Sequence, residues 1–355
     1  MRVTTLISGR FWFKSTQMVR WRMRGFLRLL PARSPGAESA AEENPFAGRL
    51  RIAYMFTGTY GDFVQILRPL NRLAAAFPHA EIRLHGADRY AREFSSELPP
   101  GLRIAHSFDP FRWVLDPVEL LLTNCVGVYR VRLDFAARFC ARRAYGFRHS
   151  HETRRGGYAA TIPLLPEVRS FAEENLKVLD LAGVPQMWGL LERRGESLEA
   201  GEALFPGEPV PAWGKGKILF HIGSAGLKRD FGLKVYTRLV FGILSKLDGR
   251  PVEVVMGPGD EDIALEVRSG TGYVPQMFPL SRLIRILRSF EGTVLCFNSF
   301  PAHICHYLGR SAIVMHREAI PYGYDCAPLH KQVVLSPDKG WDLREVWEAL
   351  ESDED

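Results

Sequence analysis

The sequence predicts an α/β protein built from two doubly wound, Rossmann-like parallel-sheet halves facing each other across a cleft. Three observations carry this. Apolar runs of strand length alternate with amphipathic helical stretches from Arg49 onward. The alternation loosens into Gly, Pro and Glu over Glu196–Lys217 and then restarts. Several of the strands open into turns rich in Gly, Ser or Asn, the places where such folds bind ligands. The length of 355 residues also suits two domains at about 150 residues each.

Taken in order, Leu50–Phe56 is a continuous apolar strand followed by the turn Thr57-Gly58-Thr59-Tyr60-Gly61. A helix then carries Phe63, Leu67, Leu70, Ala74 and Phe77 on one face and stops at Pro78. Glu81–His85 and Glu119–Thr123 read as further strands, and Pro166–Gly183 as an amphipathic helix. In the second half, Lys217–Ile222, Val252–Met256, Thr293–Phe297 and a final Ala312–His316 are strands. Helices are expected through Tyr236–Leu247, Leu280–Phe290 and Ala302–Leu308. Continuous apolar strands joined by helices indicate sheets covered on both faces. The resulting division is a basic leader and linker over 1–47, a first domain over 48–205 and a second over 214–355.

Hydrophobic residues make up 46% of the chain and charged ones 24%, which excludes wholesale disorder, collagen and coiled coil. No apolar run approaches the ~18 residues of a membrane-spanning helix. The net charge of +6 is local: of 46 Lys and Arg, eight lie in residues 1–37 with no acid among them, leaving 38 basic against 40 acidic residues. A nearly neutral body argues against nucleic acid as a partner. Cys125, Cys140, Cys296, Cys305 and Cys326 form no C-x-x-C pair and read as core thiols of a reducing compartment rather than a zinc site.

Wound as a helix, residues 10–30 gather Trp12, Val19, Met23, Phe26 and Leu30 on one side and Arg10, Lys14, Arg24 and Arg28 on the other. This pattern fits a segment lying in an anionic membrane interface, which places the protein in the cytoplasm, peripheral on the inner membrane face. A mitochondrial presequence, a disordered tail or a helix docked on the body fits the same letters.

Four turns hold the residues able to do chemistry. Asp62 follows Gly61 at a helix start, where it either caps the helix or takes a proton from an incoming hydroxyl. The turn lacks G-x-G-x-x-G, so a nicotinamide site is not indicated. His221-Ile222-Gly223-Ser224-Ala225-Gly226-Leu227-Lys228-Arg229 offers amides, a hydroxyl and two cations to a diphosphate, or is a solvated basic loop. In Gly257-Pro258-Gly259-Asp260-Glu261, Glu261 suits a ribose, or complements a helix dipole with Asp260. In Phe297-Asn298-Ser299-Phe300-Pro301-Ala302-His303, Asn298 or Ser299 would cap a helix whose first amides can hold phosphate. His303 and His306 have no third ligand in evidence, so no metal is expected. The loop Arg148–Tyr158, with His151, Arg154 and Arg155, is basic and fits an anionic acceptor.

Together these turns resemble the glycosyltransferase family that contains the bacterial lipopolysaccharide heptosyltransferases, over most of residues 50–320. The matching pieces are Arg51–Pro69 with Ala76-Phe77-Pro78, His221–Arg229, Gly257–Glu261 and Phe297–His303. The resemblance implies a GT-B fold and metal-independent, inverting sugar transfer from a nucleotide diphosphate to a lipid-linked or cell-envelope glycan, with no cofactor. It implies that Asp62 deprotonates the acceptor beside Gly61. Lys228, Ser224 and Arg229 would meet the leaving diphosphate and Glu261 the ribose, while Asn298, Ser299 and His303 complete the donor side. Three departures stand out: Asn298 replaces the family's usual Asp, Phe300 its usual Gly, and Asp230-Phe231 its common Trp-Pro. They keep two further readings open, a non-catalytic nucleotide- or glycan-binding scaffold and a nucleotide-sugar epimerase of the same fold.

Overall fold

The computed structural model describes residues 50–105, 117–124, 136–149, 158–164, 170–184, 212–317, 330–335 and 343–352. The basic leader, the expected linker, and His151, Arg154 and Arg155 lie outside these residues.

The first half is a six-stranded, all-parallel sheet in the order β3-β2-β1-β4-β5-β6. Its strands are β1 (Arg51–Met55), β2 (Glu81–His85), β3 (Arg103–Ala105), β4 (Val118–Thr123), β5 (Ala141–His149) and β6 (Ala160–Leu164). Helices α1 (Tyr60–Ala76), α2 (Asp88–Glu93) and α3 (Phe171–Leu181) accompany it. The second half repeats the plan, in the order β12-β11-β10-β7-β8-β9 and again parallel throughout. It comprises β7 (Ile218–His221), α4 (Ala225–Phe231), α5 (Leu233–Lys246), β8 (Val252–Met256), α6 (Glu261–Thr271), β9 (Gln276–Met277) and α7 (Leu280–Ser289). It continues through β10 (Thr293–Phe297), α8 (Phe300–Tyr307), β11 (Ile313–His316), β12 (Lys331–Val334) and α9 (Arg344–Glu351). This is the GT-B arrangement.

Several elements differ from the sequence reading. Ile313–His316 is not the last strand, because Lys331–Val334 pairs outside it. β5 was read in part as a basic loop: Arg142, Arg143 and Gly146 hide its strand character, which comes from pairing with β4 and β6. Where one helix was expected after Ser224 there are two, divided at Gly232, whose φ of +74° favours glycine.

Each sheet places its reversal of strand order at the middle, between β1 and β4 in the first and between β7 and β10 in the second. Ligands of open α/β sheets bind outside the carboxyl ends of strands at such points. Three of the four singled-out turns follow β1, β7 and β10, and the fourth follows β8 beside β7.

The core does not respect the division into halves. One buried cluster joins Tyr54, Phe63, Leu67 and Leu70 of the first half to Leu283, Leu287, Ile304 and Tyr307 of the second. A second cluster fills the outer side of the second sheet, from Phe220 through Tyr236 and Ile243 to Val346. A third lies under β1, β4 and β5, with Ala53, Leu121 and Cys140. The thiols of Cys140, Cys296 and Cys305 are buried, and burial pushes those of Cys140 and Cys305 up to about 12. Among the described residues no helix is long and apolar enough to cross a membrane.

Candidate functional site

The turn after β1 is built on a reciprocal cap. Thr59, not Asp62, is the N-cap of α1, and Asp62 stands three residues on. Asp62 Oδ2 accepts from the Thr59 amide at 2.7 Å and the Thr59 hydroxyl at 2.8 Å. That arrangement satisfies donors a helix start leaves open. Asp62 Oδ1 accepts no hydrogen bond from the described residues, and the side chain is half-buried. Gly58 has φ +144° and lies against Asp62, where a Cβ would stand 2.6 Å from its carboxylate. Asn124, after β4, clamps the turn from across the switch point: its Oδ1 accepts from the Thr57 amide at 3.0 Å and its Nδ2 donates to the Thr57 carbonyl at 2.7 Å.

The second half meets this turn through α8. A Cβ on Gly61 would stand 2.7 Å from His303 Cδ2 and 3.1 Å from its Nε2. Glycine here lets the two helices close up. His303 is buried, with its Nδ1 3.0 Å from Gln65 Nε2 of α1. Arg68 of α1 donates to the carbonyls of His306 and Tyr307 at the far end of α8. A cation there suits the negative end of the helix dipole. Phe300 packs edge-on against Tyr60 and Phe94 of the first half, with ring centroids 6.3 and 5.9 Å away. Ser299 is the N-cap of α8 by position, but its hydroxyl donates back to the Phe297 carbonyl at 3.1 Å instead of capping. The Asn298 amide donates to Met315, continuing the sheet.

The turn after β7 caps α4 through Ser224, whose hydroxyl accepts from the Leu227 amide at 3.4 Å. Lys228 reaches the turn after β8, donating to the Gly259 carbonyl at 2.9 Å, Asp260 at 2.8 Å and Asp262 at 3.2 Å. Burial alone would lower its pKa; the hydrogen bonds and charges of Asp260 and Asp262 more than offset this and raise it. Asp260 accepts in turn from the Gly257 amide at 3.2 Å. His221 is buried beside it with its Nδ1 accepting from the Gly223 amide at 3.2 Å, and burial pushes its pKa down to about 4 although the Asp260 charge opposes this. Glu261 is exposed, with Oε1 accepting from the Gly259 amide at 3.3 Å. Arg229 projects into solvent beside Asp230.

The structure therefore brings together Gly61, Asp62 and His303, and separately Ser224, Lys228 and Glu261. The sequence reading missed Gln65 and Asn124, which carry no motif of their own and matter through partners far along the chain; it placed Asp260 in the turn after β8 as a complement to a helix dipole but did not foresee its bond with Lys228. Among the described residues no group of His, Cys, Asp and Glu is arranged to hold a metal.

No family model and no curated protein matches the chain. Among solved structures it is similar to the E. coli heptosyltransferase WaaC with ADP-2-deoxy-2-fluoro heptose, at 15% identity and a TM-score of 0.54, over 85% of this chain and 99% of that one. The same enzyme with ADP gives 14% identity and a TM-score of 0.53, over 86% and 100%. A glycosyl transferase of family 9 from Veillonella parvula gives 17% identity and a TM-score of 0.49, over 85% and 90%. At these identities the likeness to the two heptosyltransferase structures establishes the shared GT-B fold.

Proposed function

We propose that the protein is a glycosyltransferase that moves a hexose- or heptose-like sugar from a nucleotide-diphosphate donor to a hydroxyl of a lipid-linked or cell-envelope glycan, with inversion and without a metal. The observation that carries this is the meeting of two switch points: the Gly61–Asp62 turn after β1 abuts His303 in the helix that follows β10.

Asp62 has one carboxylate oxygen engaged by Thr59 and one uncommitted among the described residues, the arrangement of a fixed general base. As the acceptor oxygen bonds to the anomeric carbon, its proton passes to Asp62, and the sugar–diphosphate bond breaks with its electrons going to the diphosphate. Ser224, Ser299, Asn298 and Arg229 surround the departing charge, and Glu261 takes the ribose. Lys228 joins by exchanging the exposed Asp262 for a phosphate oxygen. On the acceptor side, His151, Arg154 and Arg155 meet anionic groups, while residues 10–30 hold the protein on an anionic membrane surface.

The test combines purified protein, nucleotide sugars and acceptor displayed on anionic vesicles. Asp62→Asn is expected to lower kcat about 100-fold or more with nucleotide-diphosphate affinity unchanged by calorimetry; equal turnover removes Asp62 from the mechanism. A chain begun at Arg49 that pellets with vesicles as well as the full chain ends the membrane reading. One observation favours a scaffold instead, namely that Lys228 is already paired with Asp260 and Asp262. Nucleotide binding without transfer by the unaltered protein would decide for it, and donor interconversion without acceptor for an epimerase.

A further inference from the structure

Gln65 of α1 meets His303 of α8 across the two halves, about one helical turn beyond Asp62. Both side chains are buried, Gln65 at 4% and His303 at 8% exposure. The Gln65 side-chain nitrogen Nε2 stands 3.0 Å from His303 Nδ1. An amide nitrogen only donates, so Nδ1 is the acceptor, and the neutral ring then carries its hydrogen on Nε2. A charged ring would set N–H against N–H at this contact. The opposite edge of the ring lies against the Asp62 turn: a Cβ on Gly61 would stand 2.7 Å from Cδ2 and 3.1 Å from Nε2.

Two further features work against a charge on this ring. His303 lies in the first turn of α8, where the helix dipole disfavours a cation. His316, buried at the end of β11, stands near enough for the charges of the two rings to oppose each other. Burial lowers the His316 pKa, its bond to Gln332 works the other way, and the charge of His303 lowers it again. The state of His303 bears on the base beside it. A cation next to a carboxylate favours the charged form and so weakens the carboxylate as a proton acceptor. A neutral ring with hydrogen on Nε2 places neither that cation nor a second basic nitrogen at the turn.

We propose that Gln65 is a positioning residue for the transfer reaction: it holds His303 neutral, with hydrogen on Nε2, so that the turn presents Asp62 as its base with no competing cation. The inference rests on the transferase reading for the role of Asp62, while the state of His303 stands on its contact with Gln65.

Nitrogen NMR of the full-length protein, labelled in its histidine rings and held at neutral pH, reads that state directly. The His303 signals are assigned by their loss in His303→Gln. In the unaltered protein Nδ1 is expected to be bare and Nε2 to carry hydrogen. In Gln65→Glu, whose carboxylate accepts from the ring, Nδ1 carries hydrogen. In transfer assays Gln65→Glu lowers kcat about tenfold or more, with nucleoside-diphosphate affinity by calorimetry not weakened. Gln65→Met, which fills a similar space with neither charge nor donor, lowers kcat only about threefold. Hydrogen on Nδ1 in the unaltered protein, or an undiminished kcat in Gln65→Glu, overturns the proposal. So does an equal loss in the two variants, since lost packing alone would then account for both. Absence of transfer by the unaltered protein refutes the transferase reading, and the NMR result still decides the state of His303.

Discussion

An ammonium group has three N–H bonds, and Lys228 spends all three inside the protein, on Gly259, Asp260 and Asp262. The partners are unequal. Asp260 is buried and itself braced by the Gly257 amide, whereas the Asp262 side chain is 47% exposed and stands farther off. An exposed ion pair of this kind contributes about 0–1 kcal/mol, so a diphosphate can displace Asp262 at little cost but not Asp260. Asp262→Asn is therefore expected to tighten nucleoside-diphosphate binding about three- to fivefold by calorimetry. Unchanged or weaker binding would show that Lys228 serves the turn alone. The sequence exposed Lys228 as a cation entering a helix. It did not expose the carboxylates that neutralise it, because they sit on another turn, brought near only by the pairing of β7 with β8. Asp62 was more legible: its spacing from Thr59 already describes the reciprocal cap, yet Gly61 drew the helix start two residues too late.

At the scale of elements, the contact of α1 with α8 sets the geometry of the candidate site. Gly61 faces His303, Gln65 meets its ring, and Arg68 closes the end of α8, so residues 61, 65 and 68 place one helical face along the partner helix. Gly61→Ala puts a methyl 2.7 Å from His303 Cδ2, a distance at which a buried ring must move. The expected cost is about 1–3 kcal/mol, the range for an overfilled core, read as a lower urea midpoint with unchanged slope. Activity is expected to fall with it, since the same shift moves Asp62. A midpoint equal to that of the unaltered protein would mean that the helices are not pressed together at this point. The strands were legible where they are continuous and apolar, and Val252–Met256 and Thr293–Phe297 were located to the residue. β3, β9 and β12 were not, since two to four residues at a sheet margin carry too little pattern. Pro69 lies inside α1 without ending it, because the helix is held by burial of Phe63, Leu67 and Leu70 on both sides of it.

Across the whole molecule, a two-domain reading leads one to expect two cores and a wet boundary. The two folded repeats are there, but their facing sides are one apolar body, laced by Glu97, which accepts from Arg288 at 2.9 Å and from the Tyr307 hydroxyl at 3.2 Å. Such a body unfolds as a unit. Denaturant unfolding followed by tryptophan fluorescence and by far-ultraviolet circular dichroism is expected to give coincident single transitions. Two separated transitions would show that each repeat is stable without the other. This shared body was invisible in the sequence, where apolar helix faces look alike whether they cover their own sheet or a neighbour's.

Phe300 gives that union a working consequence. Its ring starts a helix of one repeat and ends among the aromatics of the other, like a peg in a neighbouring board. A swing of one repeat away from the other would have to pull the peg into water, break the Glu97 bonds and strand His303 from Gln65 together. Parting the repeats therefore costs all three contacts at once, so the Asp62 turn and the start of α8 are held at a set spacing as parts of one fixed frame.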